Sequence, residues 1–591
     1  MEIILADIFT DSDQSPYQPI DSENGEVRLV ELWPGEYDDT ISLSLRTTKL
    51  DAFITDDEEL YEQDSDEEPA GGWSPYKQEL EWQLEYEALS YAWGTAFSPR
   101  KALLDGLDLG ITENLEQGLR RLRLNDQPRM LWIDALSINQ RDTRERSHQV
   151  QQMATIYNTA KGVLIWLGEW PKFADCPHPD DCQMQWINAL QKKEKEGLAE
   201  VSYHVSKLFV DVLALPWFSR LWVIQELALA KTDPFVLIGT SSVTWSELLD
   251  TVTYIIRTRS LPVPEEFVEQ FSRDADRLLA LGYIRSHSVR YQSLFACLVR
   301  SQYAKASDPR DKVYGLLGLC DFQVTEPMVV DYSKCLHYVF AEATLISLLE
   351  ESALPYINPN AMMLGIFDRD GYGSSWIINF LGMTDCVEHG VSFRKYISTE
   401  ERERRRISAH LSEDRLTLYV YGRYIGTVYE TRSLDGENGE DPKNEVYDFY
   451  HNVLGPRGIT PRTLLQALDR KPVKDEEIDD FANLLLGSRD TFHLPRIPHG
   501  DIFITEEGHV GSSWHASFGG HVNVGAILVY LFGTEVPFIL VAAPETQSHE
   551  LTNVAYIPGC GDSILNDMCM HMEHDPWIDF AAEGCKEYAI L

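Results

Sequence analysis

Between residues 84 and 169 three apolar segments alternate with two helical patterns. The segments are LEYEALSYAWG (84–94), RMLWIDALSI (129–138) and GVLIWLGE (162–169). Between them lie TENLEQGLRRLRL (112–124) and SHQVQQMATIYNTA (147–160), whose apolar residues recur at helical spacing. A short run that is apolar on consecutive positions suits a strand buried on both faces, as in a parallel sheet. Strand and helix in alternation predict an open α/β sheet. Ligands of such sheets bind beyond the carboxyl ends of the strands. Here those ends are Tyr91–Thr95, Asp134–Asn139 and Gly168–Glu169.

The flanking sequence divides the 591 residues further. Residues 1–25 are polar and acidic and read as a loose arm. Residues 26–50 alternate around PGEYDD, a hairpin signal. Residues 51–68 hold ten acids and no base, and PAGG follows, so 51–72 read as a disordered insertion. KALLDGLDLGIT is a hairpin turning at Asp105-Gly106. The α/β domain spans 26–235, with its core at about 84–230. A helical extension covers 236–355 and begins at a Thr244–Glu247 capping box. Residues 356–591 read as a mixed, mostly β module.

The formal net charge of −43 disfavours nucleic acid and anionic membrane surfaces as partners. The longest apolar run, 522–543, is cut by Gly533, Thr534, Glu535 and Pro537 and reads as a β-hairpin, not a membrane span. Nine cysteines without framework spacing, and no basic signal segment, suit a reducing, cytoplasmic setting. CPHPDDC (176–182) and CMHMEH (569–574) offer zinc-type ligands without a finger spacing, so no metal site is assigned. No Gly-rich phosphate loop and no G-x-S-x-G elbow occurs.

SRLWVIQELALA (219–230) places Gln225 and Glu226 inside an apolar helix. Glu226 faces either solvent, as most helix carboxylates do, or a cleft.

Together these stretches resemble the fungal heterokaryon-incompatibility (HET) domain proteins. The resemblance rests on YEALSYAWG, ITENLEQGLRRLR, LWIDALSINQRDTRERSHQVQQMATIYNTAKGVLIWLGE and WFSRLWVIQELALA, and on VRLVELWPG, SDPRDKVYGLLGL and the terminal GHVNVGAILVYLFGTEVPFIL. It implies a role in fungal allorecognition and programmed cell death, with protein partners or self-association. The family usually has Cys where this chain has Ser137, so thiol chemistry at that position is absent here. HET domains are in turn similar to TIR domains, which gives a TIR-like open parallel sheet as the expected fold. NAD-cleaving TIR enzymes carry their glutamate in a Trp-x-x-x-Glu helix, and Trp222 and Glu226 have that spacing.

The resemblance therefore makes Glu226 the residue expected to stabilise a ribosyl cation, with NAD as a substrate and no permanently bound cofactor. Tyr91 or Trp93 would stack on a base with Gly94 allowing close approach, Asp134 would hold a ribose, one of Arg141, Arg144 and Arg146 a pyrophosphate, and Asn139, Arg141 and Trp222 count among the cofactor-binding residues. Each has a plainer alternative: core packing for the aromatic residues, loop capping for Asp134 and Asn139, and pairing with Asp142 or Glu145 for Arg141. The rival function is a non-enzymatic recognition and assembly module.

Overall fold

Among the described residues nine strands form the first sheet. They are β1 (Glu26–Leu32), β2 (Ser42–Lys49), β3 (Glu87–Tyr91), β4 (Arg100–Leu104), β5 (Leu107–Ile111), β6 (Arg129–Trp132), β7 (Gly162–Trp166), β8 (Phe235–Ile238) and β9 (Ser241–Thr244). This is a computed structural model. It describes residues 17–21, 25–50, 85–94, 100–171, 176–192, 198, 201–286, 293–320, 322, 326–350, 409–413, 417–434, 441–469, 473–486, 500–513, 521–531, 537–543, 548–558 and 585–590. The expected insertion at 51–72 lies outside them.

The strand order is β5-β4-β2-β1-β6-β3-β7-β8-β9. The three apolar segments become adjacent parallel strands, with β3 between β6 and β7. β8 continues the parallel run beyond β7. The expectation of a parallel sheet holds for these four strands and for the short β2–β4 pairing, and not for the rest. β1 docks antiparallel on β6 and β2 antiparallel on β1, while β9 folds back on β8. Short reversals cause this. At Asp105-Gly106 both residues have positive φ, 50° and 83°, so β4 and β5 close a tight hairpin at the edge. The sheet is thus mixed, and it extends past residue 235 through β8 and β9.

Most helices follow the sequence pattern, but the second half of RMLWIDALSI, read as strand, turns into a short helix at Asp134–Ser137. The helices are α1 (Glu113–Leu122), α2 (Asp134–Ser137), α3 (Thr143–Thr159), α4 (Pro179–Gln191), α5 (Tyr203–Leu213), α6 (Val223–Ala228), α7 (Trp245–Thr258) and α8 (Val268–Ser286). Thr112 caps α1 and Asp142 caps α3. Thr244 and Glu247 form the expected capping box of α7. On one face of the sheet Leu89, Tyr91, Leu164 and Trp166 pack with Leu115, Leu119 and Leu122 of α1. The other face meets α3, where the Tyr86 hydroxyl donates to the Ile156 carbonyl at 2.6 Å. A turn at Pro216–Ser219 breaks the 183–232 stretch between α5 and α6.

These elements belong to the first of two compact units, Met1–Gln292 with Tyr303–Cys320 and Val329–Lys334. The second comprises Ser293–Gln302, Asp321–Met328 and Cys335–Leu591. Its eight strands include β10 (Ala409–Leu411), β11 (Leu418–Ser433), β12 (Asp501–Thr505), β13 (Val510–Ser513), β14 (Ile527–Leu531), β15 (Phe538–Ala543), β16 (Ser548–Tyr556) and β17 (Cys585–Ile590). β14 and β15 pair antiparallel, as the hairpin reading of 522–543 requires. The long β11 pairs with β12, β14 and β17 along successive parts of its length. The region is not β alone: helices at Pro442–Phe449, Pro461–Asp469 and Asp475–Leu485 share a core with Ile502, Ile504 and Val510. Among the described residues no helix is long and apolar enough to cross a membrane.

One buried ion pair anchors the loop after β6. Arg28 on β1 is 1% exposed and meets Glu145 of α3 with both prongs of its guanidinium, at 2.6 and 3.0 Å. Glu145 also accepts the Asn139 amide at 2.7 Å, and Arg28 donates to the Ser137 carbonyl at 3.3 Å. Removing one partner of such a pair strands a buried charge and costs about 3–5 kcal/mol. Arg28→Ala is therefore expected to lower the stability of the first unit by that order in urea unfolding of the full chain. A change under 1 kcal/mol would remove the pair from the account of the fold.

Candidate functional site

Strand alternation puts Ser90 on the opposite face of β3 from Leu89 and Tyr91, toward α3 and α6. There Ser90 donates its hydroxyl to the Glu226 carboxylate and accepts the Trp217 indole N–H at 2.8 Å. The Tyr157 hydroxyl of α3 lies within hydrogen-bond reach of Glu226 and of the Leu89 carbonyl, the latter at 3.3 Å. Glu226 is 1% exposed. It therefore does not face solvent, and the polar interruption of the apolar helix is explained by these inward partners.

Next to it stands a second carboxylate. Asp134 opens α2 at the carboxyl end of β6 and accepts the Trp93 indole N–H at 2.9 and 3.1 Å. Arg220, six residues before Glu226, lies 3.9 Å from Asp134, donates to the Tyr91 carbonyl, and sits 5.9 Å from the Trp93 ring. Asp134, Arg220 and Trp93 keep some exposure, so they form the outer side of the group. Two desolvated carboxylates thus share one guanidinium.

Burial pushes the Glu226 carboxyl from 4.5 up to about 7; Arg220 opposes the rise and the Asp134 charge adds to it. Burial also raises Asp134, against Arg220 and the Ala135 amide. Tyr91 and Tyr157 are held well above the ordinary phenol range by burial, with the neighbouring carboxylates adding to it.

The sequence-predicted residues separate into two sets. Glu226, Asp134, Trp93 and the carbonyl of Tyr91 come together. The Tyr91 ring instead joins the apolar core and is 2% exposed. Gly94, at φ +84°, is exposed just beyond Trp93. Asn139 and Arg141 lie on the loop held by Arg28 and Glu145, where the Asn139 side chain caps the Arg141 amide at 3.2 Å. Trp222 takes another direction: its indole donates to Asp311 at 3.2 Å. Asp311 also accepts the Tyr332 hydroxyl at 2.6 Å, and burial pushes its carboxyl up to about 6. Ser137 is fully buried, its hydroxyl accepting the Ile133 amide at 3.2 Å. Among the described residues no group of metal-ligating side chains forms, and 569–574 lie outside them.

Arg220, Ser90, Tyr157 and Trp217 are the members that sequence reasoning missed. Ser90 carried a signal, as the one small polar side chain within the run ALSYAW. Arg220 carried another, as the cation beside the Trp-x-x-x-Glu spacing.

Residues 86–226 match the family model described as heterokaryon incompatibility protein (HET). They are a HET domain. The match opens at Tyr86, just before β3, and closes at Glu226. The chain is also similar to the curated heterokaryon incompatibility protein 6, OR allele, of Neurospora crassa, at 30% identity over 302 residues. That alignment covers 40% of this chain and 42% of the relative, so the chain spans less than half of that protein's length. No solved structure matches the chain.

The raised carboxyl of Glu226 in this HET domain has a thermodynamic consequence. The fold favours the neutral acid, so the folded state holds a proton that the unfolded chain releases between pH 4.5 and about 7. Glu226 thus contributes full stability below 4.5 and loses it as pH rises through 7. Glu226→Gln is permanently neutral and of the same size. It is expected to match the wild type at pH 4 and to exceed it at pH 8, by up to about 3 kcal/mol. Parallel stability curves for the two proteins across that range would contradict the burial-driven shift.

Proposed function

We propose that the HET domain is TIR-like in function as well as in its strand and helix alternation, and that Glu226 serves NAD glycohydrolysis in an allorecognition and cell-death role. The observation that carries this reading is the convergence of Glu226, Asp134, Arg220 and Trp93 at the carboxyl ends of β3 and β6. Nicotinamide leaves NAD as a neutral molecule, so the barrier lies in the positive charge that develops on the ribose. A carboxylate in a water-poor site stabilises such a charge better than an exposed one, because the field is less screened. Glu226 takes that part. Asp134, now held by the Trp93 indole, accepts ribose hydroxyls, and the Trp93 ring offers a stacking face.

Because Glu226 is buried, the substrate reaches it only when the outer side chains Trp93 and Arg220 shift. The reading therefore includes a closed ground state that opens on oligomerisation or partner contact. Burial of Glu226 among internal donors also favours a second reading, in which the group is a structural keystone and the HET domain works by assembly alone. The likeness to the Neurospora protein supports the allorecognition role under either reading.

The deciding experiment follows NAD loss by purified full-length protein and by Glu226→Gln, at high protein concentration with a crowding agent. Turnover is expected in the wild type, at least 100-fold lower in the variant, and rising with pH through about 7 as Glu226 ionises. Equal turnover in both proteins would move the chemistry elsewhere. No turnover in either would leave the assembly reading.

A further inference from the structure

CPHPDDC fits no metal site, yet its two cysteines are brought together. The Sγ atoms of Cys176 and Cys182 lie 3.4 Å apart. Cys182 sits in the first turns of α4, its amide donating to the His178 carbonyl at 3.2 Å, and is buried. Cys176, three residues before the helix, is half-buried. The helix that carries Cys182 is fixed independently. Trp186, fully buried, packs edge-on against Trp170 with ring centroids 5.6 Å apart, and against Phe209 of α5.

We propose that Cys176 and Cys182 are a reversible redox pair, oxidised to a disulfide by a hydroperoxide and reopened by a dithiol. The sulfurs need to approach by only about 1.4 Å to reach the length of an S–S bond. Cys182 rests on a helix already pinned at its centre, so the closing movement falls to Cys176, which lies outside that helix. The more accessible Cys176 reacts first. Its sulfur attacks the peroxide, the O–O bond breaks, Cys176 becomes a sulfenic acid and one alcohol or water leaves. The Cys182 sulfur then attacks that sulfenic sulfur, the S–O bond breaks, and the Cys182 proton leaves with the hydroxyl as water. Two thiols lose two electrons and two protons, and one peroxide is reduced.

The order of the two cysteines follows from their surroundings. Burial, with the Cys176 contact adding to it, pushes the Cys182 thiol up to about 11, so it is a poor first nucleophile. Its proximity to Cys176 makes the second step intramolecular, which offsets that handicap. Cys182 also hydrogen-bonds Ser202, whose hydroxyl caps α5. Oxidation therefore fixes the start of α4 and changes a contact of the α5 cap. The proposal is independent of any activity at Glu226.

The test treats the full-length chain with graded hydrogen peroxide, blocks free thiols with N-ethylmaleimide, and maps the peptide containing 176–182. At the lowest dose that consumes any thiol, this peptide is expected to escape alkylation and to weigh about 2 Da less than its reduced form. Dithiothreitol should restore both thiols. In Cys182→Ser, Cys176 should stop as a sulfenic acid that dimedone traps, while in Cys176→Ser, Cys182 should stay reduced at the same dose. Cys182→Ala provides the same readout should the serine variant fold poorly. The proposal is overturned if other cysteines are consumed first with both of these still alkylated. It is equally overturned if Cys176 passes to the sulfinic acid while Cys182 remains a thiol.

Discussion

Withdrawal of carboxylates from water at the end of β3 is the constraint around which the HET domain is arranged. Glu226 has 1% exposure, Asp134 is largely withdrawn from water, and both carboxyls are raised because burial outweighs the help of Arg220. A buried carboxyl is tolerable only when its oxygens are hydrogen-bonded. Ser90, Tyr157 and Trp93 supply those donors from β3, α3 and the loop after β3. Three of the surrounding side chains are Trp or Tyr, which offer a donor on an apolar body. The site and the core can therefore share one packing.

That sharing also explains how much could be read from the sequence. Where structure depends on local pattern, the reading held: the three apolar segments are neighbouring parallel strands, and the Thr244–Glu247 cap and the Asp105-Gly106 turn stand where their residue types put them. Strand direction was local information within the hairpins β1–β2, β4–β5 and β8–β9. That β1 docks antiparallel on β6 and β4 parallel on β2 comes from tertiary contact, so the sheet is mixed. The site divides in the same way. The carboxyl-end rule led to Asp134 and Trp93, and the Trp-x-x-x-Glu spacing led to Glu226. Spacing alone could not say that Trp222 and Glu226 leave α6 toward different partners, Asp311 and Ser90. Nor could it say that Arg220 reaches back to the Tyr91 carbonyl, across 129 residues.

The charge balance of the group has a consequence of its own. Two carboxylates against one guanidinium leave an excess negative charge when both are ionised. In a water-poor site that excess is relieved either by binding a proton or by admitting a cation. The raised carboxyls of Glu226 and Asp134 are the first form of relief. A ligand that carries or develops positive charge provides the second, and it competes directly with the proton. The electrostatics of the group thus follow from its own composition: the proton on a raised carboxyl does what a second cation would otherwise do.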